Sequence, residues 1–66
     1  MQITVNGEPT EIPDELSVSG LIEHLQLTGK RLAVEVNAEL VPRSQFESRH
    51  LASADRVEII HAVGGG

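Results

Sequence analysis

The side chains that most often do chemistry in proteins follow no recognisable site pattern in this sequence. The chain has three histidines and no cysteine. His24, His50 and His61 have spacings that match no metal-ligand motif, and no thiolate is available to join them. The serines lie at cap and turn positions, and none lies in a nucleophile-elbow sequence. We therefore predict ordinary imidazoles, no metal site and no self-contained active site.

The end of the chain is the remaining candidate for chemistry. A terminal α-carboxyl group has a pKa of about 3.3–3.7, so it is ionised at neutral pH and can attack a phosphate to form an acyl-adenylate. Gly64 and Gly65 lack a Cβ atom, so such an end can thread a narrow tunnel, and Gly66 presents an unhindered carbonyl. A frayed end is the other interpretation, because disorder collects at chain termini.

A functional tail needs docking elsewhere on the chain. Holding three residues extended costs about 3–6 kcal/mol of backbone entropy, which contacts outside the tail must offset. Ile60 and Ala62 point away from the predicted core, and with Val63 they are candidates for contact with a partner. Arg43 is a further candidate, although pairing with a surface carboxylate is the favoured interpretation for it.

The composition limits the class of protein. The chain has 66 residues, a formal net charge of −5 and five scattered basic residues. Nucleic-acid binding depends on clustered Lys and Arg, so the charge argues against it. The apolar runs are too short to span a bilayer, and the N-terminal sequence has no signal-peptide pattern. We predict a small acidic domain in the reducing cytoplasm.

The first half of the chain predicts a hairpin followed by a helix. Residues 2–5 alternate polar and apolar side chains, Asn6-Gly7 is typical of a type I′ turn, and residues 9–12 form the expected return strand. Ser17 is expected to cap a helix with one apolar stripe, and Gly29 to stop it. The stripe consists of Val18, Leu21, Ile22 and Leu25.

The second half predicts a second hairpin, a helical turn and a last strand. Residues 32–37 and 39–41 are the two strands, joined by a turn at Asn37-Ala38. Ser44 to Glu47 has the spacing of a capping box, and Phe46 is expected to fill a gap beneath that turn. Residues 56–63 form the strongest strand pattern, with Val57 and Ile59 on one side.

One helix can cover only one face of a four- or five-stranded sheet. We therefore predict a two-layer α+β domain with a mixed sheet, in which the first and last strands are neighbours. This is the β-grasp arrangement. The domain is expected to comprise residues 1–63, followed by a flexible glycine tail at 64–66.

Three segments and the glycine end resemble the ThiS family of thiamine-biosynthesis sulfur carriers, a ubiquitin-like group. The segments are MQITVNGE at the start, AVEVNAELVPRSQF in the middle and DRVEIIHAV in the last strand. The stretch from Asn37 to Arg43 is similar to the family's N-x-x-x-V-P-R segment. The resemblance covers essentially the whole chain.

The resemblance implies a protein that is a carrier and not an enzyme. An ATP-dependent adenylating enzyme, related to ubiquitin-activating enzymes, would activate the carboxylate of Gly66. Sulfur from a cysteine desulfurase would replace the AMP and leave a thiocarboxylate, which would deliver the sulfur to thiazole synthase. Gly64 and Gly65 would thread into the partner active sites. The chain itself would bind no cofactor and would be a monomer when free.

Two positions depart from the family pattern. Gly64 is a third glycine where the family end needs two, and Ala54-Asp55 stands where relatives often have Gly-Asp, which puts a positive-φ turn there in doubt. Three alternatives stay open: a carrier for another pathway, such as the small subunit of molybdopterin synthase, a ubiquitin-like modifier, and a β-grasp binding module with an inert tail. The length and the V-P-R segment favour thiamine. Lys30 is the sole lysine, so lysine-branched polymers are not expected, but single conjugation as a modifier stays open.

Overall fold

The structure, a computed structural model, describes residues 1–61. Its elements are β1 (Gln2–Val5), β2 (Glu8–Glu11), α1 (Val18–His24), β3 (Leu32–Val36), β4 (Glu39–Val41), a 3-10 helix (Arg43–Gln45) and β5 (Arg56–His61). Within these 61 residues, no helix is long and apolar enough to cross a membrane.

The five strands form one mixed sheet in the order β2-β1-β5-β3-β4. β1 and β5 run parallel, and the other neighbouring pairs are antiparallel. The two hairpins therefore flank the last strand, as the prediction that the first and last strands are neighbours requires. This confirms the predicted α+β fold and settles the number of strands in the described chain at five.

Both hairpins turn through residues with positive φ, which the sequence predicts for Asn6-Gly7 but not for Asn37-Ala38. Asn6 and Gly7 have φ of 50° and 84°, and Asn37 and Ala38 have φ of 52° and 70°. The return strand β2 begins at Glu8 and not at residue 9, because a two-residue turn places Glu8 directly opposite Val5.

The core lies between α1 and one face of the sheet. Every core side chain is at most 8% exposed, and no polar or charged residue among those described is buried with them. The core residues are Ile3, Ile12, Val18, Leu21, Leu32, Val34, Val36, Val41, Leu51, Val57 and Ile59. The strand residues in this set alternate along each strand, so the residues between them face away from α1.

The helix begins where the sequence predicts but ends earlier. The Ser17 hydroxyl accepts a hydrogen bond from the Gly20 N–H at 3.0 Å, which confirms the cap. The prediction that Gly29 stops the helix is wrong. The helix ends at His24, and Gln26, with φ of 61°, takes the left-handed position. Leaving the helix there allows Leu27 to pack against the core.

The predicted helical turn after β4 is present, but its cap is not the predicted one. The turn begins one residue earlier, at Arg43, so Ser44 lies inside it and caps nothing. The Gln45 N–H donates instead to the Pro42 carbonyl at 2.8 Å. Phe46 is partly buried against the core, as predicted.

The turn before β5 keeps a positive φ without a glycine. Ala54 has φ of 71°, a conformation that costs an L-residue roughly 1–2 kcal/mol. Its N–H donates to the Gln2 carbonyl at 2.8 Å, which ties the turn to β1. The doubt raised by the Ala54-Asp55 sequence is therefore resolved: the turn has a positive φ, and the alanine is strained in it.

The amino terminus is tied to the first hairpin. The Met1 ammonium donates to the Ile12 carbonyl at 2.6 Å and lies 3.0 Å from carboxylate oxygens of both Glu11 and Asp14. Hydrogen bonds to Glu11 and then to Asp14 raise the pKa of this ammonium group above its ordinary value of 8.0.

Candidate functional site at the root of the tail

The C-terminal tail leaves from the central strand of the sheet. We call the last described residues of β5, Ile59 to His61, the tail root. β5 pairs with β1 at Thr4 and Val5, and with β3 from Val36 to Leu32. At the tail root the backbone pairing with β1 has ended, and His61 lies opposite Leu32 of β3.

The side chain of Asn6 continues the pairing where the β1 backbone stops. Its Oδ1 accepts from the Ile59 N–H at 2.8 Å, and its Nδ2 donates to the Ile59 carbonyl at 3.2 Å. An asparagine side chain presents one donor and one acceptor, as a peptide group does. Asn6 therefore holds the tail root as an additional strand residue would.

Asn37 holds the opposite end of β5 in a related way. Its Oδ1 accepts from the Arg56 N–H at 2.9 Å, and its Nδ2 donates to Asp55 Oδ1 at 3.0 Å. Sequence reasoning gave neither asparagine a hydrogen-bonding role: it assigned Asn6 to a turn, and Asn37 to a turn, a strand end and the family segment. The available signal was that both two-residue turns begin with Asn, a residue that adopts positive φ and can also bond to a neighbouring backbone.

The sheet face opposite α1, which we call the outer sheet face, carries exposed apolar side chains beside the tail root. Ile60 is 50% exposed, as predicted for a docking candidate. Leu40 is 67% exposed on the same face, and sequence reasoning missed it. Its alternation with the buried Val41 in β4 was the signal. Large exposed apolar residues that share a face often mark an interaction site.

Two carboxylates meet between these apolar residues. Glu35 lies opposite Leu40 on one side and opposite Glu58 on the other. Like charges directly opposite in a sheet are destabilising, by about 0.2–1 kcal/mol. The outer sheet face is therefore apolar with an acidic centre, which suits a partner surface that brings a basic group.

The remaining predicted site residues fall in two classes. Arg43 is exposed at the start of the 3-10 helix, and its expected partner carboxylate is not found among residues 1–61. Ala62, Val63 and the tail Gly64, Gly65 and Gly66 lie outside the described residues, so the predictions about them and about the 63/64 domain boundary stay predictions.

The histidines do not form a site in the described part of the chain. His24, His50 and His61 are all exposed, on three different elements or loops. Among residues 1–61, no group of three or more acidic, histidine or cysteine side chains is arranged to hold a metal ion.

Comparison with known proteins agrees with this architecture. The ThiS family model matches residues 3–66. The uncharacterized protein ycf40 of Porphyra purpurea is 39% identical over all of this chain and 93% of its own length. The sulfur carrier protein ThiS of Bacillus subtilis is 34% identical over 53 residues, which are 80% of each protein. A thiazole synthase of Paramagnetospirillum magneticum is 32% identical over all of this chain, which matches 20% of that longer protein.

A solved structure shows the same fold over the full length. The crystal structure of the thiamine biosynthesis protein ThiS from Geobacter metallireducens superposes with a TM-score of 0.87, at 32% identity, and each chain is covered completely. That protein therefore has the β-grasp fold described above. With the family model matched from Ile3 to the last residue, this chain belongs to the ThiS family.

Proposed function

We propose that this chain is a sulfur carrier of thiamine biosynthesis and that Gly66 carries the sulfur. The observation that carries the proposal is the match to the ThiS family over residues 3–66, which includes the three terminal glycines. The Bacillus subtilis relative is named a sulfur carrier. This chain has no cysteine, so a sulfur atom that it carries covalently needs another attachment point, and the terminal carboxyl group offers one.

The chemistry proceeds in two substitutions at that terminus. A carboxylate oxygen of Gly66 attacks the α-phosphorus of ATP, and pyrophosphate leaves. A sulfur nucleophile derived from a cysteine desulfurase then attacks the acyl carbon, and AMP leaves with both electrons of the broken C–O bond. If the sulfur arrives as a persulfide, a thiol reductant cleaves the S–S bond and releases the thiocarboxylate.

The partners follow from these steps. An adenylating enzyme binds the ATP and catalyses the activation, so the chain acts as its substrate and needs no cofactor of its own. Thiazole synthase receives the sulfur. Two relatives named thiazole synthase contain a segment similar to this entire chain, and this favours thiamine over the molybdopterin pathway. We further propose that the carrier is a cytoplasmic monomer between these encounters.

The outer sheet face is the proposed docking surface for the adenylating enzyme. Ile60 is the last residue of that face within the described chain, and Leu40 lies two strands away from it. Ala62 and Val63 would extend the contact toward the tail, while Gly64 and Gly65 would thread into the active site. Burial of exposed apolar area contributes about 25 cal/mol per Å² and would offset the entropy of ordering the tail.

Intact-protein mass spectrometry tests the proposal. The chain is incubated with ATP, the cognate adenylating enzyme and a sulfur source, and we expect a mass gain equal to the difference between sulfur and oxygen, located in the C-terminal peptide. One alanine added after Gly66 should abolish the gain, whereas Gly64→Ala should keep it because the family end needs only two glycines. Leu40→Ser should slow the gain without changing its final size.

The Bacillus subtilis carrier serves as the positive control in the same reaction. If the enzyme modifies that carrier but leaves this chain unchanged, the proposal is wrong. A gain located anywhere other than the C-terminal peptide also contradicts it. An unchanged gain after addition of the alanine would rule out the terminal carboxyl group as the attachment point.

A further inference from the structure

A groove on the helix side of the sheet gathers most of the positive charge of this acidic protein. It has a volume of about 250 Å³ and lies between α1, the loop before β3 and the 3-10 helix. Three of the five basic residues line it, namely Lys30, Arg31 and Arg43. We call it the basic groove. The sequence suggested scattered charges, and the fold corrects this because it brings the turn after β4 next to the loop before β3.

The floor of the basic groove is apolar. Leu32 belongs to the core, and Ile22 and Phe46 are partly buried against it. Phe46 is also the only aromatic residue of the chain. The groove therefore combines a surface for one apolar group with a rim of positive charge.

The basic residues of the rim have no partner carboxylate in the described chain. Lys30, Arg31 and Arg43 are exposed, and none forms an ion pair within residues 1–61. One carboxylate, that of Glu23, also lines the groove but does not pair with them. In a chain with ten acidic residues, this leaves a concentrated positive potential available to a charged partner.

We infer that the basic groove binds an acidic segment of a partner protein, which places one apolar side chain on the floor and its carboxylates against the rim. Small-molecule pockets measure about 300–1,000 Å³, so a groove of this size suits a side chain better than a free ligand. A nucleic acid is disfavoured, because the net charge of −5 repels a polyanion and an apolar floor adds nothing to phosphate binding.

This surface is separate from the site of the proposed sulfur chemistry. Leu32 lies opposite His61, so an occupant of the basic groove lies beside the tail root but on the opposite side of the sheet from Ile60 and Leu40. The inference needs neither Gly66 nor the adenylation reaction. The inference depends only on the charge of the rim and on the groove itself.

An NMR titration of the full chain tests it with a defined probe. The probe is a blocked hexapeptide with a central leucine and phenylalanine flanked by aspartate and glutamate, and its control has asparagine and glutamine in place of the acids. We expect saturable shifts of the Ser19, Gly29 and Arg31 amides with the acidic peptide. Its dissociation constant should rise at least fivefold between low and high salt.

Two charge-reversal variants provide the matched pair. Arg31→Glu and Arg56→Glu change the net charge equally, but Arg56 is exposed on the outer sheet face. We expect at least fivefold weaker binding for Arg31→Glu and a change of less than twofold for Arg56→Glu, with both variants folded by circular dichroism. Equal weakening in both variants, equally tight binding of the neutral peptide, or the absence of saturable shifts at the groove would overturn the inference. Tighter binding of a DNA oligonucleotide at the same amides would do so as well.

Discussion

The substitution Asn6→Asp removes one of the two hydrogen bonds that hold the tail root. The introduced carboxylate keeps the acceptor for the Ile59 N–H, now 2.8 Å from Oδ1, but it replaces the donor that lies 3.2 Å from the Ile59 carbonyl. The backbone is not strained by the change, because Asp adopts the φ of 50° found at Asn6 about as readily as Asn does.

The expected loss has two parts. A typical hydrogen bond contributes about 0.5–1.5 kcal/mol, and leaving the part-buried carbonyl unpaired against a negative oxygen adds a further penalty, for a total of about 1.5–3 kcal/mol. Protonation restores a donor, so the folded pKa of the introduced carboxyl is raised above its unfolded value of about 3.9. The penalty is therefore complete above the folded pKa and disappears as the pH falls to the unfolded value.

Urea unfolding at several pH values measures the loss of stability in Asn6→Asp, with Gln2→Glu as the matched control. Gln2 is an exposed residue of β1, the strand that precedes Asn6, and its side chain makes no hydrogen bond within residues 1–61. The control adds the same charge opposite Glu11, at a cost of about 0.2–1 kcal/mol. Amide exchange should accelerate at Ile59 in Asn6→Asp alone. If Asn6→Asp matches the control within 0.5 kcal/mol at pH 7, or if its deficit does not shrink in acid, the assigned role of Asn6 is refuted.

Two further predictions concern strain and pH. Ala54→Gly should raise the free energy of unfolding by about 0.5–1 kcal/mol, because it relieves the φ of 71°. Ala52→Gly, at a position without positive φ, should lower the free energy of unfolding. Equal effects of the two substitutions in urea unfolding would show that Ala54 is not strained. The Met1 ammonium has its pKa raised by Glu11 and Asp14, so its contribution to stability is complete below pH 8.0 and is lost as the pH rises through the raised pKa. The urea midpoint should fall between pH 7 and about 10 in the parent chain but much less in Glu11→Gln/Asp14→Asn, and parallel curves would contradict the assignment.

Local signals explain why much of the fold could be predicted from the sequence. Asn6-Gly7 is typical of a two-residue turn with positive φ, Asn37-Ala38 lies between two apolar runs, and a two-residue turn at each place sets the register of its hairpin. Ser17 fixes the start of α1 in the same way, through one hydrogen bond to a residue three positions on. Alternation in β3 and β5 then identified the buried face of the sheet. These features depend on neighbours in sequence, so sequence reasoning finds them.

The wrong predictions depend on contacts distant in sequence. Gly29 carried the usual helix-stop signal, yet the packing of Leu27 on the core ends the helix sooner. The capping-box prediction at Ser44 is the exception, because a local hydrogen bond from the Gln45 N–H to the Pro42 carbonyl begins the 3-10 helix at Arg43. The clustering of Arg43 with Lys30 and Arg31 arises only when the second hairpin folds beside α1. No pattern of neighbouring residues in the sequence predicts this clustering.

The topology places β5, the last described strand, in the centre of the sheet. Under the function proposed above, the terminal carboxyl group reacts in a partner site, and such a reaction depends on placement of the reacting atoms to better than about 1 Å. Strands in the middle of a sheet open least often, whereas edge strands and termini fray. β5 is bonded on one side by β3 as far as His61, and on the other by β1 and then by Asn6 as far as Ile59. A partner that binds the domain beside the tail root therefore also fixes the position of Ile59 to His61, from which the chain continues. Asn6 and Asn37, to which sequence reasoning gave no hydrogen-bonding role, add side-chain hydrogen bonds to the backbone pairing near both ends of β5.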